Sequence, residues 1–139
     1  MKMFFDTSAL LKTYVVERGS DFAKQLILDA SKIAVSVLVE PELISSLNRL
    51  RREGLLVDSD YAQMRSVILN DLDTFEVVPL SRSIVDGANT LLERHNLRGA
   101  DAIHLASAVF CRAENFVTSD KRLRIAAASA GFVVVDPCE

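Results

Sequence analysis

Cysteine is scarce in this sequence: Cys111 and Cys138 are the only two, far apart and without C-x-x-C spacing. Two thiols without a pattern suit a reducing compartment, and both are read as inert. Excess positive charge is also missing, since 16 Lys and Arg face 19 Asp and Glu for a formal charge of -3. Domains that grip nucleic acid by bulk electrostatics are usually strongly basic, so any such role here has to be local. No apolar run approaches the ~20 residues that cross a bilayer, which sets membrane roles aside. Met1 to Val16 is apolar, but Asp6 and Lys12 interrupt it and no small-residue cleavage pattern follows. A cytoplasmic protein is expected. The five glycines form no G-x-x-x-x-G-K-[ST] or G-x-G-x-x-G motif, and there is no G-x-S-x-G. Nucleotide-binding loops and nucleophile-elbow hydrolases are disfavoured accordingly.

What is there is a chain of 139 residues, half hydrophobic and a quarter charged, without repeats or low-complexity segments. That suits one domain over residues 1–139, with a core large enough to need no staple. Apolar runs at Met3–Phe5, Ile33–Ser36, Phe75–Val78, Asn115–Thr118 and Phe132–Val135 read as strands. Between them helical spacing predicts helices over Thr7–Val16, Asp21–Ser31, Leu38–Glu53, from Asp58 or Ser59 to Asp73, Ser81–His95, Ala102–Arg112 and Lys121–Ala130. In the second, Phe22, Leu26, Ile27 and Ala30 form the expected apolar stripe. Gly99 is read as a break, and the helix after it has almost no polar face, which marks it as centrally buried. Alternating strands and helices with short connections define an α/β class, a three-layer α/β/α sandwich around a mainly parallel sheet.

The organising stretch is Phe4-Phe5-Asp6-Thr7-Ser8, where a strand ends at a carboxylate and a helix begins. In parallel α/β sheets the carboxyl ends of strands form the ligand crevice. Asp120, in Val117-Thr118-Ser119-Asp120, repeats the arrangement, and it can meet Asp6 if their strands are neighbours. Asp101 stands at the start of the most buried helix. Each of the three could equally be a plain N-cap. Glu40 and Glu42 open the third helix, and because residues two apart diverge by about 200°, at most one faces the site. Helical phase leaves the choice open. Carboxylates gathered without a cation raise one another's pKa, so a hard divalent ion, Mg2+ or Mn2+, is expected among them. Such a site activates water and neutralises charge on a phosphodiester. His104 reads as a hydrogen-bonded packing residue and not a ligand, and His95 as a helix terminator suited to the dipole. Arg49, Arg51 and Arg52 read as a solvated helix face, as singly do Lys121, Arg122 and Arg124. The latter three start next to Asp120, where a rim contacting phosphates would serve.

Phe5-Asp6-Thr7-Ser8, Ser36 followed six residues later by Glu42-Leu43, Gly99-Ala100-Asp101-Ala102-Ile103-His104-Leu105-Ala106 and Val117-Thr118-Ser119-Asp120 resemble the four motifs of a PIN-domain ribonuclease. They stand in the family's order and span nearly the whole chain. At this length the resemblance is to the VapC-type toxins of prokaryotic toxin–antitoxin pairs. It implies an endoribonuclease using Mg2+ or Mn2+, an RNA substrate, a homodimer, and a cognate antitoxin whose tail occupies the acidic groove. Position by position it implies Asp6, Glu42, Asp101 and Asp120 as the catalytic metal ligands, supported through hydrogen bonds by Thr7, Ser8 and Thr118. It selects Glu42 over Glu40, although Glu40-Pro41 is a less usual prelude to that glutamate. Two other enzyme classes fit poorly. A haloacid-dehalogenase-type phosphatase needs a second Asp where Ser8 stands, and a receiver domain needs an acidic pair after its first strand. The remaining rival is a catalytically silent PIN fold that serves as a binding or scaffold subunit.

Overall fold

A computed structural model describes residues 1–139. Five short strands, β1 (Lys2–Phe5), β2 (Lys32–Ser36), β3 (Glu76–Val78), β4 (Asn115–Val117) and β5 (Val133–Val135), form one sheet in the order β3-β2-β1-β4-β5. Every pairing is parallel, so each return to the sheet requires a crossover, and helices supply it. These are α1 (Thr7–Leu11), α2 (Ser20–Asp29), α3 (Val39–Arg52), α4 (Asp58–Leu72), α5 (Arg82–Arg94), α6 (Gly99–Phe110) and α7 (Lys121–Ser129).

Side chains alternate across a strand, and the two faces of β1 bury different cores. Met3 and Phe5 join Ile33, Val35 and Val117 beneath α1 to α4, with Leu43, Leu47 and Ile68 fully enclosed. Phe4 points the other way and stacks on Phe116, their ring centroids 5.5 Å apart, beneath Ile84, Leu105 and Leu123 of α5, α6 and α7. Burying each such side chain contributes about 1.5–3 kcal/mol. Two apolar cores therefore clamp β1 in the middle of a three-layer sandwich. The chain runs outward from β1 through β2 to β3, then returns to β4 on β1's other side. The gap between β1 and β4 is a topological switch point, where open α/β sheets place ligands.

The elements match the expected ones except at three places. α1 stops at Leu11, short of Val16, because Thr13 and Tyr14 bond to carbonyls three residues back and the Thr13 hydroxyl also takes the Leu10 carbonyl. The buried stripe of α2 is Ser20, Ala23 and Leu26, whereas Phe22 is 42% exposed. Gly99 does not break the chain: it is the first residue of α6, capped by Arg98 in extended conformation. That helix is buried from Ala102 through Ala108, apart from half-buried Ile103, but Val109 and Phe110 at its end are exposed.

Candidate active site

The backbone first joins the two key strand ends. Asp6 N–H donates to the Val117 carbonyl at 3.2 Å, extending the β1–β4 ladder by one rung. The Asp6 carboxyl is thereby held over the switch point, only 3% exposed. Its Oδ1 caps α1 by accepting from Ala9 N–H at 2.8 Å, and its Oδ2 accepts from the Thr118 hydroxyl at 2.5 Å. The capping role and the cavity position are thus not alternatives at Asp6. Burial dominates its titration and pushes the pKa up to about 6 from 3.8, against the two hydrogen bonds and His104 but with help from the Asp101 charge. Thr118 links the second acid to the first, since the same hydroxyl accepts from Asp120 N–H at 3.1 Å. Asp120 in turn caps α7 through Leu123 N–H at 2.8 Å.

Glu42 and Asp101 arrive on helices from opposite cores. In the first turn of α3, Glu40 faces solvent while Glu42 is half-buried in the cavity wall, which resolves the choice that helical phase left open. Glu42 Oε1 accepts from the Thr7 hydroxyl and from His104 Nε2, each at 2.6 Å. These donors hold its pKa below the ordinary glutamate value, His104 more than Thr7, against partial desolvation. Asp101, in the first turn of α6, does no capping, and its Oδ2 meets Arg98 Nε at 3.2 Å.

A cleft of about 550 Å³ collects Asp6, Thr7, Ser8, Glu42, Asp101 and His104. A second, of about 400 Å³, holds Asp120, Lys121 and Arg122 beside Asn96 and Leu97. Arg98 and Asp101 line both, so the two clefts adjoin and share a wall. The four acids are strung along this double cleft; no three of them stand close enough to form a closed metal cage. Ser8 contributes wall, and the hydrogen bonds come from Thr7 and Thr118. Arg124 leaves the proposed rim: it pairs with Asp136 at 3.0 Å and Glu139 at 2.8 Å and lines a different depression.

Two site residues escaped sequence reasoning. His104 is 2% exposed and hydrogen-bonded, as expected of a packing residue, yet the group it holds is Glu42. Arg49 belongs to the cleft and not to a free helix face. A signal for it existed: Glu42, Ser45, Ser46 and Arg49 fall at i, i+3, i+4 and i+7, one polar stripe down α3.

The oxygen-only donor set fits a hard divalent ion of the kind that takes one or two carboxylates and fills its remaining positions with water and phosphate. Asp6 carries the strongest motive for one, a buried carboxylate whose charge has no cation in contact. The sheet order, the switch-point cleft and its acids define a class in which strand-end carboxylates from separate segments share one groove. A family model for the PIN domain matches residues 3–129, and the chain belongs to that family. Within it the chain is of the VapC type. Ribonuclease VapC45 and Ribonuclease VapC49, from two strains of Mycobacterium tuberculosis, are each 32% identical to it over 131 residues, covering 93% of this chain and 91% of theirs. The fold matches that of VapC20 from Mycobacterium tuberculosis, described as a Sarcin-Ricin loop cleaving toxin, at a TM-score of 0.72 and 20% identity over 94% of this chain and 96% of that one. It also matches a toxin–antitoxin complex from Klebsiella pneumoniae at a TM-score of 0.70 and 23% identity, covering 97% of each chain. No helix is long and apolar enough to cross a membrane.

Proposed function

We propose that this chain, acting as a single PIN domain over residues 1–139, is a metal-dependent endoribonuclease and the toxin of a type II toxin–antitoxin pair. The observation that carries the reading is that Asp6, Glu42 and Asp101, from three distant segments, line one cleft at the β1/β4 switch point. The names of the curated relatives support the ribonuclease activity, and the toxin–antitoxin complex among the fold's neighbours supports a cognate antitoxin. The family resemblance adds a homodimer, and the sequence itself, through its N-terminal segment and its two unpatterned thiols, a cytoplasmic setting.

Asp6 and Asp101 would hold Mg2+ or Mn2+, with Glu42 and Asp120 on either side. Bound there, the ion supplies a nucleophilic water at neutral pH and offsets charge on the scissile phosphate. Thr118 and Ala9 N–H fix both oxygens of Asp6. Thr7 and His104 engage the same oxygen of Glu42, which leaves Oε2 without a partner in the chain. Lys121 and Arg122, beside Asp120, are placed to contact phosphates of the RNA. A silent PIN fold serving as a binding subunit is the second reading, favoured by the spread of the acids and by the capping bonds of Asp6 and Asp120. One assay separates them. The purified chain should cut RNA with Mn2+ and stop on EDTA, and its expression alone should arrest growth until the neighbouring open reading frame is co-expressed. No cleavage with either ion, together with no arrest, would establish the silent reading.

A further inference from the structure

Arg98 is the one cation common to both clefts. Its side chain is 80% exposed, and only Nε is engaged, by Asp101 at 3.2 Å. The terminal amino groups, the half of the guanidinium that suits a phosphate fork, have no partner in the chain. An exposed ion pair of this kind contributes little to stability, so holding the fold does not account for the residue. Its charge is nonetheless the local balance for the acids: it touches Asp101, and Glu42 and Asp120 line the two clefts it borders. Further cations stand to either side, Arg49 in the first cleft and Lys121 with Arg122 in the second. A polyanion lying across both clefts meets positive charge in each and at the wall they share.

We infer that Arg98 is a substrate-positioning residue, which balances Asp101 in the free protein and grips a phosphate of RNA lying across both clefts. The inference rests on the nuclease reading and deepens it by naming the residue that seats the substrate.

The test compares wild type with Arg98→Ala and Arg98→Lys, using anisotropy of a short fluorescein-labelled single-stranded RNA in EDTA across a salt series. Mn2+ affinity is measured separately from the loss of the free-ion electron paramagnetic resonance signal. Arg98→Ala should weaken RNA binding roughly tenfold and lower the log–log salt slope by about one. Arg98→Lys should keep the slope while recovering only part of the affinity. Mn2+ should bind the alanine variant at least as tightly as wild type, because a competing cation beside Asp101 has gone. Unchanged RNA affinity and slope would overturn the inference, as would a loss of Mn2+ affinity equal to the loss for RNA, which would make Arg98 an orienter of Asp101. Wild type that neither binds nor cuts RNA would overturn the nuclease reading and this inference with it, an outcome distinct from wild-type cleavage with an unaffected Arg98→Ala.

Discussion

Asp6→Asn should make the metal-free protein more stable at neutral pH while abolishing cleavage. The carboxyl is buried, and burial raises its pKa from 3.8 to about 6. A shift of that size sets roughly 3 kcal/mol against the charged form at neutral pH. Below about pH 4 the group is protonated both folded and unfolded, and burying it carries no charge penalty. As pH rises the unfolded chain ionises first, so stability falls through the interval up to about pH 6 and then levels off. Asparagine carries no charge and caps a helix about as well as aspartate, so the bond from Ala9 N–H survives. Its amide must meet the Thr118 hydroxyl as a donor where the carboxylate accepted, and that hydroxyl already accepts from Asp120 N–H. Losing that bond costs about 1–2 kcal/mol.

The balance is a net gain of about 1–2 kcal/mol for Asp6→Asn at pH 7.5 in EDTA, turning into a small loss at pH 4. The chain has no tryptophan, so urea unfolding is best followed by far-ultraviolet circular dichroism. Added Mn2+ should reverse the order at pH 7.5, because an ion that binds only the folded wild type stabilises it by mass action. A variant less stable than wild type at pH 7.5 in EDTA would refute the electrostatic argument. Cleavage at the wild-type rate would refute the place of Asp6 in the chemistry.

Thr118→Val removes the hydroxyl that serves Asp6 and Asp120 at nearly constant volume. It should cost about 1–3 kcal/mol at pH 7.5 and less at pH 4, where Asp6 is neutral; equal losses in urea at both values would show that the hydroxyl does not serve the charge. Gly19→Ala acts where the start of α2 packs on the C-terminal segment: Gly19 has φ +86° and an added Cβ would lie 2.9 Å from the Pro137 carbonyl oxygen. Left-handed backbone alone costs roughly 1–2 kcal/mol, so thermal unfolding should fall by several degrees. An unchanged midpoint would mean that the C-terminal segment shifts freely.

Much of the fold was legible because its signals are local. Phe4-Phe5-Asp6 announces a strand end, and the helical spacing of Ile84, Ala88 and Leu91 gives α5 its buried side. The failures were local as well. The end of α1 depends on the Thr13 hydroxyl competing for a backbone carbonyl, and Phe22 mimicked a core residue where small Ala23 does the packing. No helical period distinguishes these outcomes in advance, because each is decided by what lies across the contact.

The site divides along the same line. Residue type and position in a strand–helix unit were enough to nominate Asp6 and Asp120, since a parallel sheet brings such positions to one edge, and Asp101 was nominated by its place at the start of the most buried helix. Their surroundings were not readable, and surroundings decide what each acid can do. Asp6 and Asp120 have similar local sequences and similar caps, yet only Asp6 is sealed between two cores, because β1 is central and its end is roofed by Thr118. Asp101 looked like a third cap and is instead uncommitted, with Arg98 as its counter-ion. His104 passed for filler because its role lies with Glu42, 62 residues away in sequence. The cations followed the same rule: Arg124, in sequence the equal of Arg122, is drawn off by Asp136 and Glu139, while Arg49 enters the cleft on the stripe that carries Glu42. Charge signs along the chain can therefore nominate a nuclease groove, but the pairing that leaves one arginine free and ties down another is a product of the tertiary fold.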